Sequence, residues 1–220
     1  MPISTNIYYD STIKNMQSTF TSSDGQVTKP FTVIPNIKVL PTFSRVNDYL
    51  KAEALSNNIV DYSKAGITFK IRNTQEKEFT SPIDQLGSFA INLPVSNDEF
   101  RVTLDAPGHF TATSTFTVFG DLYGTLYGKS KLLGLDDLTA GDVNKDSVID
   151  IMDAVAIQVY WGTNKRSADI NFDGKVDEKD LFFVEKNYMK QNEKIDSIPE
   201  TPKKKYKGKT LEDIKEELGV

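Results

Sequence analysis

Two acidic segments of this chain are built on one template, 27 residues apart (169 − 142). The first reads Asp142-Val-Asn144-Lys-Asp146-Ser147-Val148-Ile149-Asp150-Ile-Met-Asp153, and the second Asp169-Ile-Asn171-Phe-Asp173-Gly174-Lys175-Val176-Asp177-Glu-Lys-Asp180. Both carry oxygen-bearing side chains at positions 1, 3, 5, 9 and 12 and an aliphatic residue at position 8. That spacing is a calcium loop. A hard cation that wants six to eight oxygens is wrapped by alternate side chains plus one peptide carbonyl. One such match can arise by chance in an Asp-rich chain, but a matched tandem pair in register does not.

The template assigns roles. In the first loop Asp142, Asn144 and Asp146 each give one oxygen, Val148 its backbone carbonyl, Asp150 acts through a water, and Asp153 closes the site with two oxygens. In the second the same roles fall to Asp169, Asn171, Asp173, Lys175 (carbonyl), Asp177 and Asp180. Two calcium ions are therefore expected. Four carboxylates per loop repel one another until a divalent ion offsets them, so metal binding is expected to be largely folding energy. Position 6 must turn with a positive backbone angle. Gly174 suits it, whereas Ser147 should cost roughly 1 kcal/mol, which predicts a weaker first site. Ile149 and Val176, at position 8, are expected to pair as a short bridge between the loops.

Each loop runs into an apolar helical segment, Ala154 to Trp161 ended by Gly162, and Leu181 to Tyr188. An ordinary EF-hand also has a helix leading into the loop and a Glu at position 12. Here Leu-Thr-Ala-Gly141 precedes the first loop, Gly162 to Ala168 leaves no room for a helix before the second, and position 12 is Asp twice.

A duplicated loop and exit helix opening with Gly141-Asp-Val-Asn144 resembles a dockerin, over roughly Gly141 to Lys190. The resemblance implies a calcium module of bacterial secreted enzymes and scaffolds that docks onto a cohesin-type module. It also implies contact through loop positions 10 and 11 and the outer helix face. Those positions are Ile151, Met152, Gln158 and Val159 in the first copy, and Glu178, Lys179, Glu185 and Lys186 in the second. The first set is mainly apolar and the second charged, and neither copy has the Ser-Thr pair of many enzyme-borne dockerins, so partner type stays open. Ile151 and Met152 could instead pack on the chain's own neighbouring domain, since an exposed apolar pair needs cover.

Ahead of the loops the period is two. Ile67 to Ile71, Phe89 to Leu93, Phe100 to Leu104 and Phe116 to Val118 alternate, with breaks at Asp84 to Gly87, Pro94 to Asp98 and Ala106 to Gly108. These predict a β-sandwich over 46–130. Leu50 to Leu55 is read as its opening strand. The order of elements, with Pro107-Gly-His-Phe110 as the most telling turn, resembles the carboxypeptidase regulatory-like or Ig-like X modules that often precede dockerins. The predicted architecture is thus mainly β: an Ig-like sandwich, then a small α-helical calcium domain over 131–192. Residues 1–45 read as strands (Ile7 to Tyr9, Val27, Phe31 to Val33, Ile37 to Val39) that either complete the sandwich or end an upstream domain. Gly120 to Gly128 repeats Leu-Tyr-Gly and predicts an ordered strap. Residues 193–220 read as a polar tail with a capping box at Thr210 to Asp213 opening a short helix, with Leu211, Ile214 and Leu218 on one face. So short a helix needs a surface to lie on.

A net charge of −5 and a pI near 5.0 argue against a nucleic-acid partner. No cysteine is present, so calcium rather than disulfides would cross-link an exported chain. No run is apolar enough to span a membrane. Met1 is followed by polar, strand-like sequence instead of a signal peptide, which predicts a fragment of a longer extracellular or surface protein. The one histidine, His109, lies in the Pro-Gly turn and is expected at a strand edge, so no catalytic set is predicted. Two functions remain: calcium-dependent docking to a cohesin-type partner, or a brace packed on the chain's own β-sandwich beside an upstream hydrolase domain. Exposure or burial of Ile151, Met152 and Val159 separates them.

Overall fold

A computed structural model describes residues 16–21, 27–33, 43–55, 60–96, 98–118, 130–195 and 199–220. Contacts divide the chain into Met1–Leu40 and Pro41–Val220. In the first unit β1 (Met16–Thr21) and β2 (Val27–Val33) form an antiparallel pair. The second strand covers the predicted Val27 and Phe31 to Val33, whereas β1 had no forecast. Ile7 to Tyr9, Ile37 to Val39 and the Leu-Tyr-Gly strap lie outside the described residues.

The second unit begins with a sandwich. One sheet has the order β5 (Glu78–Phe79), β4 (Thr68–Asn73), β7 (Glu99–Asp105), β8 (Ala112–Thr117), all antiparallel. The other has β6 (Ser88–Pro94), β3 (Phe43–Tyr49) and β9 (Ser130–Leu132), the last parallel to β3. Alternation places Phe69, Ile71, Phe100, Val102 and Leu104 of the first sheet against Val46, Phe89, Ile91 and Leu93 of the second, all buried. The rings of Phe69 and Phe89 meet across the gap with centroids 4.0 Å apart.

The opening strand is Phe43–Tyr49, not Leu50 to Leu55. From Leu50 the chain leaves the sheet: Ala52 makes a lone bridge to Leu138, and Leu55 N donates back to Ala52 O in a turn. Leu50, Ala52 and Leu55 are buried in the sandwich, while Ala54 joins the core of the C-terminal module. This segment crosses the junction, so its apolar residues serve two cores and mimic a strand.

The C-terminal module holds α1 (Ile151–Val159) and α2 (Glu178–Lys186) around Ile149, Ile151, Ala154, Ile157, Ile170, Val176, Leu181 and Val184. The expected capping box opens α3 (Leu211–Leu218), with Thr210 at its N-cap. Its surface is α1: Leu211 and Ile214 are buried in the module core, with Leu218 packed against it. No described helix is long and apolar enough to cross a membrane.

Candidate metal loops and docking faces

The two acidic loops fold alike because their own side chains bend back onto backbone amides. Asp142 Oδ2 accepts from Ser147 N and Asp169 Oδ2 from Gly174 N, joining positions 1 and 6 at 3.3 and 3.1 Å. Asn144 and Asn171 accept from Asp146 N and Asp173 N, both at 2.9 Å. Asp146 and Asp173 accept from Val148 N and Lys175 N. These local Asx turns set the curvature of each loop. Ser147 does adopt the left-handed backbone expected at position 6 (φ 69°), as Gly174 does (φ 92°). Position 4 is left-handed too, at Lys145 (φ 65°) and Phe172 (φ 57°). Neither residue type announces that conformation in the sequence.

Both helices start inside the loops. Asp150 and Asp177, at position 9, are the N-caps, accepting from Met152 N at 2.7 Å and Lys179 N at 3.0 Å. The second oxygen of Asp150 accepts from Lys203 N at 2.6 Å, in the C-terminal segment. Position 12 completes a capping box. Asp153 accepts from Val143 N, Asn144 N and Asp150 N at 2.8, 3.2 and 2.9 Å. Asp180 accepts from Ile170 N, Asn171 N and Asp177 N at 2.7, 3.2 and 2.9 Å. Backbone donors thus hold the closing carboxylate in place from three sides.

The expected bridge between Ile149 and Val176 is not formed. Ile149 pairs with Lys190 in the ladder of β10 (Val148–Ile149) and β11 (Lys190–Gln191), and its carbonyl accepts from Met189 N at 2.7 Å. Val176 O accepts from Gly162 N at 2.8 Å, and Val176 N donates to Thr163 O. Since 162 + 27 = 189 and 149 + 27 = 176, each loop pairs with the chain leaving the other copy's helix. Pseudo-twofold packing brings loop to exit segment, not loop to loop.

Electrostatics favour a cation. Asp142, Asp153, Asp169 and Asp180 are all buried. Burial pushes Asp142 up to about 7, Asp153 to about 8 and Asp180 to about 6, and raises Asp169. The Oδ1 of Asp142 is buried with no hydrogen-bond partner. An orphaned carboxylate oxygen beside a second buried carboxylate fits a hard divalent ion, which would neutralise them and cross-link the loop. In the second loop Lys179 reaches Asp173 at 2.7 Å and holds its carboxyl below the usual range, a cation already on position 5. No three acidic, His or Cys side chains among the described residues form a ready-made cluster. The set expected for each loop is mixed instead, carboxylates with one Asn oxygen and one peptide carbonyl, at Val148 or Lys175.

These shifts fix a pH response for the calcium-free chain. The folded carboxylates bind protons more tightly than unfolded ones, whose value is near 3.8, so stability in chelator should rise as pH falls from 8. Burial depresses His109 to about 4, so it opposes this only below its ordinary 6.5. Thermal melts in chelator followed by Trp161 fluorescence should therefore show a higher Tm at pH 6.5 than at pH 8. Equal or lower values would contradict the burial of these acids.

The expected docking positions have different fates. Ile151 is fully buried in the module core, and its amide donates to Lys203 O. Met152 is half-buried, and Gln158 Nε2 donates to Glu217 of α3 at 2.8 Å. Val159 is 68% exposed. In the first copy Ile151 is thus taken up by the module's own core and Gln158 by α3, while Val159 stays exposed. Glu178, Lys179, Glu185 and Lys186 are all exposed. Glu185 pairs with Lys215 at 2.8 Å and Lys186 with Glu53 at 2.7 Å. Between them Phe182 stands 54% exposed over a groove of about 520 Å³ that reaches Ala54 and Val220. The sequence reading missed Phe182, although four successive apolar residues, Leu181 to Val184, circle most of a helix turn and cannot all face one core.

His109 is buried at the junction of sandwich and module, correcting the expected strand edge. Its Nδ1 faces Pro107 O at 2.9 Å and its Nε2 accepts from Ala54 N at 3.3 Å, so the ring is neutral and structural.

Residues 140–190 match the Dockerin type I domain. Among solved structures, two interface mutants of a type II cohesin–X–dockerin complex from Acetivibrio cellulolyticus, one N-terminal and one C-terminal, each contain a similar chain. Each match has 18% identity and a TM-score of 0.47, covering 68% of this chain and 97% of that one. No curated protein matches the chain.

Proposed function

We propose that this chain docks onto a cohesin-type module in a calcium-dependent way, as the non-catalytic accessory part of an extracellular or surface-attached bacterial protein. The Dockerin type I match over 140–190 carries the reading. Asp142, Asn144, Asp146, Val148, Asp150 and Asp153 would hold one calcium ion, and Asp169, Asn171, Asp173, Lys175, Asp177 and Asp180 a second. The sandwich ahead of them is read as the Ig-like X-type module. With α3 over the first copy, the partner face falls to α2: Glu178, Lys179 and Glu185 around Phe182. Aromatic side chains, Phe among them, are enriched at interface cores with polar groups at the rim.

Calorimetric titration of the chain against a panel of type I and type II cohesin modules tests this. At least one should bind with a Kd below about 1 µM in calcium and not in chelator. Phe182→Asp should weaken that binding roughly thirtyfold. Silence across both types in calcium would remove the proposal.

A further inference from the structure

The side of the module that carries both acidic loops is also the side that stands on the sandwich, and position 4 of each loop makes the contact. Lys145 and Phe172 are equivalent residues (172 − 145 = 27) and share the left-handed backbone. Lys145 Nζ donates to Asp105 Oδ1, Ala106 O and His109 O at 2.5, 2.8 and 2.5 Å. Those acceptors surround the turn after β7, and they use all three ammonium donors. Phe172 packs against the sandwich core, with the Arg166 guanidinium 4.6 Å from its ring centroid. Arg166 in turn donates to Ala65 O of the sandwich at 3.0 and 2.6 Å and to Asp169 O, at position 1 of the second loop. Ile170, at position 2, fills the space over Gly108, where an added Cβ would lie 2.8 Å from its Cγ1.

We propose that the two loops form a metal-dependent joint, in which loop closure aims Lys145 and Phe172 into the sandwich and so fixes the module on it. The inference rests on the calcium reading of the loops and goes beyond it by assigning the metal a second task away from the partner face. Each position-4 residue is flanked by two ligand positions, Asn144 and Asp146 or Asn171 and Asp173. A left-handed backbone at a non-glycine residue is unfavourable unless its surroundings hold it. When the flanking ligands let go, that backbone relaxes and the side chain swings away from the sandwich. The turn at 105–111 contains no metal position, so it senses the ion only through this contact.

Hydrogen exchange on the full chain tests the joint, with Trp161, the only tryptophan, reporting calcium binding to the module. In wild type, amides of 105–111, including Phe110 N bonded to Thr139 O, should exchange about tenfold more slowly in calcium than in chelator. Lys145→Met keeps the aliphatic stem and removes the donors. It should lose most of that protection in calcium while Trp161 still responds to the ion. Phe172→Leu should do the same for the amides around Ala65. If Trp161 responds to calcium but 105–111 is equally protected with and without it, the joint is overturned. The same follows if Lys145→Met leaves the protection intact. No Trp161 response at all is a different result, which overturns the calcium reading of the loops.

Discussion

Stripping calcium from this chain at pH 8 is expected to lower its melting temperature by roughly 10–20 °C. An ion present at a hundred times its dissociation constant adds about 2.7 kcal/mol per site, so two sites add about 5 kcal/mol. One kcal/mol moves Tm by about 2–4 °C in a domain of this size. The sharper expectation concerns Asp153→Ala. As a pure metal ligand, Asp153 would matter only in calcium. Yet it also satisfies the buried amides of Val143 and Asp150, accepts from the Asn144 amide, and completes the capping box of α1. Leaving buried donors unpaired costs about 1–3 kcal/mol each. Asp153→Ala should therefore lower Tm by several degrees in chelator at pH 6, where burial keeps the carboxyl neutral, and by more in calcium at pH 8. Asp146→Ala is the contrast, because its turn is local and partly exposed, and its loss should register mainly in calcium. Equal melting temperatures of wild type with and without chelator would rule out metal-coupled folding. Equal chelator values for Asp153→Ala and wild type would rule out the capping role.

Gly141→Ala is expected to be the most damaging of the conservative glycine substitutions in the module. Gly141 sits at φ 124°, outside the ordinary left-handed well, and its amide donates to Gly108 O at 2.7 Å. An added Cβ would lie 3.0 Å from Ile149 Cγ2 and 3.1 Å from the carbonyl oxygen of Phe183. The side chain of Ile149 could shift by a few tenths of an ångström, but the carbonyl belongs to α2 and cannot. Backbone strain of this kind costs about 1–3 kcal/mol before any clash. A loss of about 3 kcal/mol, or roughly 6–12 °C in calcium, should result. Gly162→Ala and Gly174→Ala meet nothing within 4 Å at φ 75° and 92°, and should cost about 1 kcal/mol each. A Gly141→Ala melt indistinguishable from that of Gly162→Ala would sink the packing argument.

Much of the C-terminal module was legible because its information is local. The candidate ligand positions of each loop lie within twelve residues of one another, and the Asx turns that shape them need only the next two to five residues. The same holds for the box at Thr210 to Asp213. The left-handed backbone at Lys145 and Phe172 left no mark, since nothing in either side chain asks for it. It is sustained by the closure of the loop around it and by what those side chains touch across the junction. Leu50 to Leu55 misled for a related reason: burial in two cores gives an apolar string without a sheet. The expected pairing of Ile149 with Val176 fails because a 27-residue repeat specifies two similar units and not how they face each other.

By itself the sequence determined the alternating strands of the sandwich, the two oxygen-rich loops and the start signal of α3, all written in neighbouring residues. Only the tertiary structure decided that α3 lies over the first copy, that Phe182 is left outward, that His109 is buried and neutral, and that the loops stand on the sandwich. The physical reason is range. Turn geometry and capping are short-range preferences that each segment satisfies alone. Which apolar faces find one another is settled by the joint packing of residues a hundred positions apart, as with Arg166 and Ala65.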